Sequence, residues 1–202
     1  MSDIASRRRH CERCALPSRT CVCALATPAP NEVDVLVLQH PDEAREAKNS
    51  ARLLSLSLAR CRVVVGAVFE PEALLALLDG DVSGSALLYP SDTQIEGVAP
   101  IPAVRPRRLV LLDGTWRRSA QMLRANPLLQ TLQRWALRPT GPARYRALRK
   151  AARATQLSTL EAACAALADI ESAPARYEPL LSAFDRFVAD GASRAGRGAS
   201  SQ

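Results

Sequence analysis

The chain has 202 residues, of which 48% are hydrophobic and 23% are charged, and its formal net charge is +7. This length and composition predict one globular domain with room for a small appendage, and no apolar run reaches the roughly 18–20 residues that a membrane span requires. No apolar segment follows the basic residues of positions 1–13, so the sequence shows no secretory signal and predicts a cytoplasmic protein without a membrane partner.

The positive charge is concentrated in one quarter of the chain. Residues 105–153 hold 13 basic residues and a single acid, Asp113, whereas the other residues hold 14 basic and 19 acidic residues. A strongly basic segment of this kind suits a polyanionic partner, above all a nucleic acid. The alternative is a set of solvated helix faces in an arginine-rich protein.

Four cysteines cluster in residues 10–26, directly after a basic stretch at residues 1–9 that we predict to be disordered. The Cys-x-x-Cys pair of Cys11 and Cys14 is followed by the Cys-x-Cys pair of Cys21 and Cys23. Four thiolates at this spacing can surround a zinc ion, and in a reducing cytosol clustered cysteines indicate a metal rather than disulfides. The sequence therefore predicts a zinc knuckle, with four free or redox-active thiols as the alternative.

Strand-like and helix-like segments alternate after a Pro-rich linker at residues 27–30. The predicted strands lie at residues 33–38, 62–69, 85–89, 109–112 and 134–137. The predicted helices lie at residues 42–60, 71–78, 116–125, 127–132, 143–154, 158–170 and 178–188. This order predicts an α/β domain over residues 31–190, with a mainly parallel sheet and helices on both faces. Residues 191–202, rich in Gly, Ser, Ala and Arg, are predicted to form a disordered tail.

The apolar run at residues 109–112 ends in Asp113, which is followed by Gly114, Thr115 and Trp116. A short continuous apolar run predicts a buried parallel strand, Gly114 permits a sharp turn, and Thr115 is a plausible N-cap for the next helix. Ligands of open α/β sheets bind beyond the carboxyl ends of the strands, so Asp113 and Trp116 lie where such a fold places its chemistry. The alternatives are an ordinary capped turn and, for Trp116, an anchor in the core.

A second candidate element begins at Ser158. Ser158 and Glu161 have the spacing of a capping box at the start of an apolar helix, and a helix N-terminus can also hold a carboxylate or phosphate. The chain has no Gly-x-Gly-x-x-Gly motif and no Walker loop, so a standard dinucleotide or nucleoside-triphosphate site is not indicated. A Ser-His-Asp triad is not credible with His10 and His40 as the only histidines.

The cysteine cluster and several short motifs together resemble the DTW-domain family, which is named for its Asp-x-Thr-Trp motif. The motifs are His40-Pro41, Leu88-Tyr89-Pro90-Ser91, Leu112-Asp113-Gly114-Thr115-Trp116, Asn126-Pro127, the Tyr145 and Arg149 region, and Leu157-Ser158-Thr159-Leu160-Glu161-Ala162. The resemblance implies a fold related to the SPOUT methyltransferases, with a C-terminal trefoil knot. It also implies a transferase that moves the 3-amino-3-carboxypropyl group of S-adenosylmethionine to N3 of a tRNA uridine and releases methylthioadenosine.

The resemblance and the charge pattern give each candidate residue an expected role. The expected catalytic residues are Asp113, Thr115, Trp116 and Glu161. The residues expected to bind S-adenosylmethionine are Tyr89, Pro90, Ser91, Leu112, Asp113, Leu157, Ser158 and Thr159. The residues expected to bind tRNA are Arg117, Arg118, Arg124, Arg144, Tyr145, Arg146, Arg149 and Lys150. The expected zinc ligands are Cys11, Cys14, Cys21 and Cys23.

The role of Asp113 stays open between two alternatives. Its carboxylate can pair with the ammonium of the donor or accept the N3 proton of uridine. Arginines around it argue against a simple general base, although the same arginines would stabilise a uridine anion. Two other functions also stay open: a non-enzymatic RNA-binding zinc protein and a methyltransferase of the same fold class. The sequence does not decide the oligomeric state, for which a monomer is the working expectation.

Overall fold

The structure is a computed structural model that describes residues 10–46, 49–90, 104–137 and 157–199. The described strands are β1 (Asp34–Gln39), β2 (Cys61–Val65), β3 (Ser85–Leu88), β4 (Arg108–Asp113) and β5 (Gln133–Trp135). The described α-helices are α1 (Pro41–Ala44), α2 (Ser50–Ser57), α3 (Pro71–Leu77), α4 (Trp116–Ala125), α5 (Pro127–Gln130), α6 (Thr159–Ile170) and α7 (Pro174–Ala199). Short 3-10 helices lie at Ser18–Thr20 and Cys23–Leu25.

The five strands form one parallel sheet in the order β2-β1-β4-β3-β5. β1 and β4 are neighbours in the centre, and both are apolar and buried on both faces. Val35 and Val37 pack into a core shared with α2, α6 and α7, whereas Leu36 and Leu38 pack into a core shared with α3, α4 and α5. The predicted α/β architecture, a parallel sheet covered by helices on both faces, is confirmed.

The cysteine segment packs against the first of these cores. Cys14 and Val22 are buried among the same side chains as α2 and α7, and the Cys23–Leu25 turn contacts both of these helices. The cysteine segment therefore braces the face of the sheet that carries α2, α6 and α7.

The helix predicted at residues 42–60 is two helices, because side chains at two positions cap the backbone. His40 accepts a hydrogen bond from the backbone N–H of Asp42 and begins α1, and Asn49 accepts one from the N–H of Arg52 and begins α2. An asparagine side chain competes with the helix interior for backbone hydrogen bonds and favours a cap. The strand predicted to reach residue 69 ends at Val65, since the chain turns where the ring of Phe69 lies against Gly66.

Asn126 ties two loops together on the opposite face of the sheet. Its Oδ1 accepts a hydrogen bond from the N–H of Phe69 at 2.8 Å, and its Nδ2 donates to the carbonyls of Ala67 at 2.9 Å and Met122 at 2.6 Å. The side chain is buried and connects the segment after β2 to the junction of α4 and α5. The Asn-Pro motif thus has a structural explanation: the asparagine holds two segments and Pro127 begins α5.

Glu171 connects α6, α7 and the segment before β1. Its carboxylate accepts hydrogen bonds from the N–H groups of Glu32 at 2.8 Å and Val33 at 3.0 Å, from the Tyr177 hydroxyl at 2.5 Å and from Arg176 at 2.6 Å. Burial acts to raise the pKa of Glu171, but the Tyr177 hydroxyl, the two backbone N–H groups and the Arg176 charge outweigh it and hold the pKa below its ordinary value.

Two C-terminal expectations have different outcomes. The disordered tail predicted from residue 191 is wrong for residues 191–199, because α7 continues to Ala199; alanine and arginine, which favour helix, recur in that segment. The helix predicted at residues 143–154 lies outside the described residues, as does part of the path on which a trefoil knot depends, so the knot and the SPOUT relationship stay predictions.

Candidate active site and metal centre

The candidate active site lies at the carboxyl edge of the sheet, where β1 and β4 end side by side. Gln39 is the register partner of Asp113 in the parallel ladder, so the two side chains lie on the same face. This face carries α2 and α6, and the N-termini of both helices come close to the pair through Asn49 and Thr159. The partial positive charge at a helix N-terminus favours a carboxylate at this position.

Asp113 is almost completely buried, with 8% of its surface exposed, and both of its carboxylate oxygens accept hydrogen bonds. Oδ2 accepts from Nε2 of Gln39 at 2.6 Å, and Oδ1 accepts from the hydroxyl of Thr159. Within the described ranges, no arginine or lysine forms an ion pair with Asp113. The described partners of this carboxylate are therefore neutral, in contrast to the arginine surroundings expected from the sequence.

The turn after Asp113 has the predicted form. The hydroxyl of Thr115 accepts a hydrogen bond from the N–H of Arg118 at 3.3 Å and caps α4. A Cβ at Gly114 would lie 3.2 Å from Cβ of Arg118 and 3.4 Å from Oγ of Ser119, so the turn packs closely against the first turn of the helix. The capping prediction for Thr115 is confirmed, and a catalytic role for it stays a prediction.

Trp116 lies on the surface next to this turn. Its side chain is 54% exposed, so the alternative of an anchor in the core is wrong. The ring stands edge-on to the ring of Tyr89, with centroids 6.0 Å apart, and the guanidinium of Arg134 lies 5.5 Å from the Tyr89 centroid. The three side chains form a half-exposed surface at the carboxyl edge of the sheet, beside β3 and β5.

The start of α6 forms the predicted capping box. Oγ of Ser158 accepts from the N–H of Glu161 at 3.2 Å, and the Glu161 carboxylate accepts from the N–H of Ser158 at 2.9 Å. This fixes the turn that carries Thr159 to Asp113, and a catalytic role for Glu161 stays a prediction. Leu157 is exposed just before the turn.

Two other residues expected to bind S-adenosylmethionine lie at the ends of β3 and β4. Pro90 is exposed after β3, and Leu112 packs at the edge of the second core. Ser91 lies outside the described residues. The described part of the chain therefore brings the loops after β1, β3 and β4 and the start of α6 to one edge of the sheet.

The expected tRNA-binding arginines differ in their surroundings. Arg117 and Arg124 are exposed on α4. Arg118 instead forms ion pairs with Asp42 at 2.7 Å and Glu43 at 3.2 Å, which connects α4 to α1. The other expected contacts lie outside the described residues; they are Arg144, Tyr145, Arg146, Arg149 and Lys150.

The four clustered cysteines can hold a tetrahedral metal. Their Sγ atoms lie within 4.8 Å of one another, and the distances are 3.6 Å between Cys11 and Cys23 and 3.7 Å between Cys14 and Cys21. A tetrahedral zinc ion with Zn–S bonds of about 2.3 Å requires S···S distances of about 3.8 Å. Backbone hydrogen bonds from Cys14 and Arg13 lower the pKa of the Cys11 thiol to about 6, whereas burial and the neighbouring thiols raise the pKa of Cys23 to about 12, so the geometry of the four sulfur atoms carries the metal assignment. The residues present thus fit zinc.

Comparison with known proteins identifies the family. The family model of the DTW domain matches residues 8–191. The chain belongs to the DTW-domain family. Relatives of this DTW-domain protein include "tRNA-uridine aminocarboxypropyltransferase 2" of Drosophila melanogaster, 33% identical over 89% of this chain and 74% of the fly protein. The mouse protein of the same name is 31% identical over 89% of this chain and 62% of its own length. "tRNA-uridine aminocarboxypropyltransferase A" of Arabidopsis thaliana is 26% identical over 63% of this chain and 54% of the plant protein. No solved structure matches significantly.

Three residues of this DTW-domain site were not predicted from sequence patterns: Gln39, Asn49 and Arg134. A polar residue that ends a buried apolar strand was a usable signal for Gln39, since a buried amide needs partners. Asn49 precedes a helix and has the position of an N-cap, which does not reveal its second contact.

None of the described helices combines the length and the apolarity needed to cross a membrane.

Proposed function

We propose that this DTW-domain protein transfers the 3-amino-3-carboxypropyl group of S-adenosylmethionine to N3 of a uridine in tRNA and releases methylthioadenosine. The observation that carries the proposal is the 31–33% identity over 89% of the chain to fly and mouse proteins named "tRNA-uridine aminocarboxypropyltransferase 2". The chain spans less than two thirds of the mouse protein, so substrate and partners are part of the proposal. A cytoplasmic location and a monomeric state remain predictions.

The proposed reaction is a substitution at carbon. N3 of uridine gives its proton to solvent water and forms a bond to the γ-carbon of the aminocarboxypropyl group, while the bond from that carbon to sulfur breaks. The bonding pair passes to sulfur, which converts the sulfonium to the neutral thioether of methylthioadenosine. All three carbons on the sulfonium are electrophilic, so the site must present the γ-carbon to N3 and keep the methyl group away.

The contacts of Asp113 favour pairing with the ammonium of the donor over proton abstraction. A nearly buried carboxylate whose described partners are Gln39 and Thr159 carries a negative charge that no described cation balances. An uncompensated buried charge is costly, and the ammonium and sulfonium of the donor supply the missing positive charge. We therefore assign Asp113 to the orientation of the donor.

The start of α6 complements this assignment. The capping box uses the N–H groups of Ser158 and Glu161, which leaves those of Thr159 and Leu160 without a partner among the described residues. Free N–H groups in the first turn of a helix suit a carboxylate. An α-amino acid carries its ammonium and carboxylate on one carbon, and Thr159 places the helix N-terminus directly beside Asp113. The two elements together suit the amino-acid end of S-adenosylmethionine.

The experiment is an assay of the by-product. Purified protein is incubated with unmodified tRNA and S-adenosylmethionine, and the adenosine products are separated chromatographically. Methylthioadenosine that forms only with tRNA is the expected result. S-adenosylhomocysteine would instead support a methyltransferase, and tRNA binding without either product would support a non-enzymatic RNA-binding protein.

A further inference from the structure

Gln39 is a buried amide that ends an otherwise apolar strand. It is 1% exposed and continues the face of Val35 and Val37, which enter the core beneath α2 and α6. Burying an amide without hydrogen-bond partners costs free energy of folding, so a leucine would stabilise this position more than glutamine unless the amide is needed for its hydrogen bonds. Its Nε2 donates to two acceptors, Oδ2 of Asp113 at 2.6 Å and Oδ1 of Asn49 at 3.1 Å.

The backbone fixes the direction of these hydrogen bonds. The N–H of Arg52 donates to Oδ1 of Asn49 at 3.2 Å, and Nδ2 of Asn49 donates to the carbonyl of Glu43 at 3.1 Å. A backbone N–H only donates and a carbonyl only accepts, so the Asn49 amide has one orientation. Oδ1 of Asn49 is therefore an acceptor, and Gln39 must turn its Nε2 toward it.

This orientation determines what Asp113 meets. The same Nε2 also donates to Oδ2 of Asp113. This carboxylate oxygen therefore faces an NH2 group, which donates hydrogen bonds and cannot accept a proton. The backbones of both residues are held in the sheet, since the carbonyl of Gln39 accepts from the N–H of Gly66 at 2.9 Å and that of Asp113 from the N–H of His40 at 2.9 Å. Because the backbones are fixed, Asp113 can move only by changing its side-chain rotamer. The hydrogen bond from Gln39 restricts that change.

We infer that Gln39, oriented by Asn49, is a positioning residue for Asp113, and that it keeps this carboxylate turned toward the donor. Gln39 acts through Asp113 and does not itself touch the reacting atoms. The inference rests on the proposed function and adds a residue to its site. Asn49 then has two structural roles, because its Oδ1 caps α2 and also accepts the hydrogen bond that orients Gln39.

The test compares Gln39→Met with a matched control in the same strand. Methionine has a similar length but no donor, whereas Val37→Ala removes buried apolar volume on the same face without touching Asp113. We expect Gln39→Met to raise the KM for S-adenosylmethionine roughly 10-fold, as expected when a neutral hydrogen bond to a charged group is lost. Val37→Ala should lower stability and leave this KM unchanged.

The double variant Gln39→Met with Asp113→Asn decides whether Gln39 acts through Asp113. Two residues that act as one unit give non-additive losses, so the double variant should be no worse than Asp113→Asn alone. If Gln39→Met fails to fold, Asn49→Ser is the second variant: serine still caps α2 but is too short to hold Gln39, and a smaller rise in KM is expected.

Two results would overturn the inference. One is a native KM in both Gln39→Met and Asn49→Ser, and the other is a double variant in which the two losses multiply. A native protein that forms no methylthioadenosine would overturn the proposed function and this inference together. A native protein that is active, combined with either of the first two results, would overturn the positioning role alone.

Discussion

Asp113→Asn removes the negative charge of the candidate site and leaves its hydrogen bonds almost intact. Because Gln39 must donate, the Oδ1 of an asparagine takes the place of the carboxylate oxygen beside it. The Nδ2 then meets the hydroxyl of Thr159, which can rotate from donor to acceptor. Since each contact has a replacement, we expect the free energy of unfolding to change by about 1 kcal/mol or less.

The loss of charge should appear in the binding of the donor. A hydrogen bond between a charged donor and a charged acceptor contributes about 1.5–3 kcal/mol, which corresponds to a rise of roughly 10–150-fold in the KM for S-adenosylmethionine. The assay follows methylthioadenosine formation at saturating tRNA while the S-adenosylmethionine concentration varies. tRNA affinity, measured by filter binding, should stay at the native value, because Asp113 is buried at the end of β4 and does not lie on the exposed surface of α4.

Three outcomes distinguish the possible roles of this carboxylate. A raised KM with native tRNA affinity supports orientation of the donor. A native KM with a strongly reduced kcat would refute the assignment and make Asp113 the base for the N3 proton. Full activity would remove Asp113 from the mechanism. Asp113→Ala serves as the structural control, since it leaves the N–H of Gln39 unpaired and should destabilise the fold more than asparagine does.

Three further predictions concern the metal, the tRNA and acid stability. Cys14→Ser should abolish stoichiometric zinc, measured by elemental analysis, and lower Tm by roughly 2–4 °C for each kcal/mol lost; retained zinc with a native Tm would contradict a structural metal. The double variant Arg117→Ala with Arg124→Ala should weaken tRNA binding. The slope of the logarithm of the tRNA association constant against the logarithm of salt concentration should become shallower by about 0.7–0.9 per lost contact. The control Arg62→Ala, which removes an exposed arginine on β2, should change neither quantity. Glu171→Gln should destabilise the protein at pH 7, measured by urea unfolding. Because the folded pKa of Glu171 is lowered, this difference should shrink as pH falls below the ordinary value of 4.5, and a constant difference would contradict the reasoning.

The sequence predicted the β4–α4 turn well because its signals are local. A continuous apolar run, a glycine and a capping threonine each act on neighbouring residues, and the observed strand and helix begin and end within a residue or so of their predicted limits. The break between α1 and α2 was missed because Asn49 competes with an otherwise helical pattern. The exposure of Trp116 was equally hidden, since an aromatic residue at the first helical position has no periodicity to show which way it faces.

The contacts of the site were not predictable because they join distant parts of the chain. Asp113 meets Gln39 across 74 residues and Thr159 across 46 residues. Both contacts depend on the order of the strands, which places β1 beside β4 although β2 and β3 intervene in sequence. Side-chain patterns indicate which residues are buried, but they do not give the order of strands in a sheet.

The described contacts of Asp113 differ from those that the charge pattern of the sequence suggests. Asp113 is the single acid among 13 basic residues in its segment, which suggested a carboxylate surrounded by arginines. The nearby Arg118 is paired with Asp42 and Glu43, and Arg134 lies over the ring of Tyr89. Arg118 is thus paired with other carboxylates, and the described partners of Asp113 are neutral. Among the described residues no cation balances this carboxylate, and this is the reason for the proposal that Asp113 pairs with the ammonium of the donor.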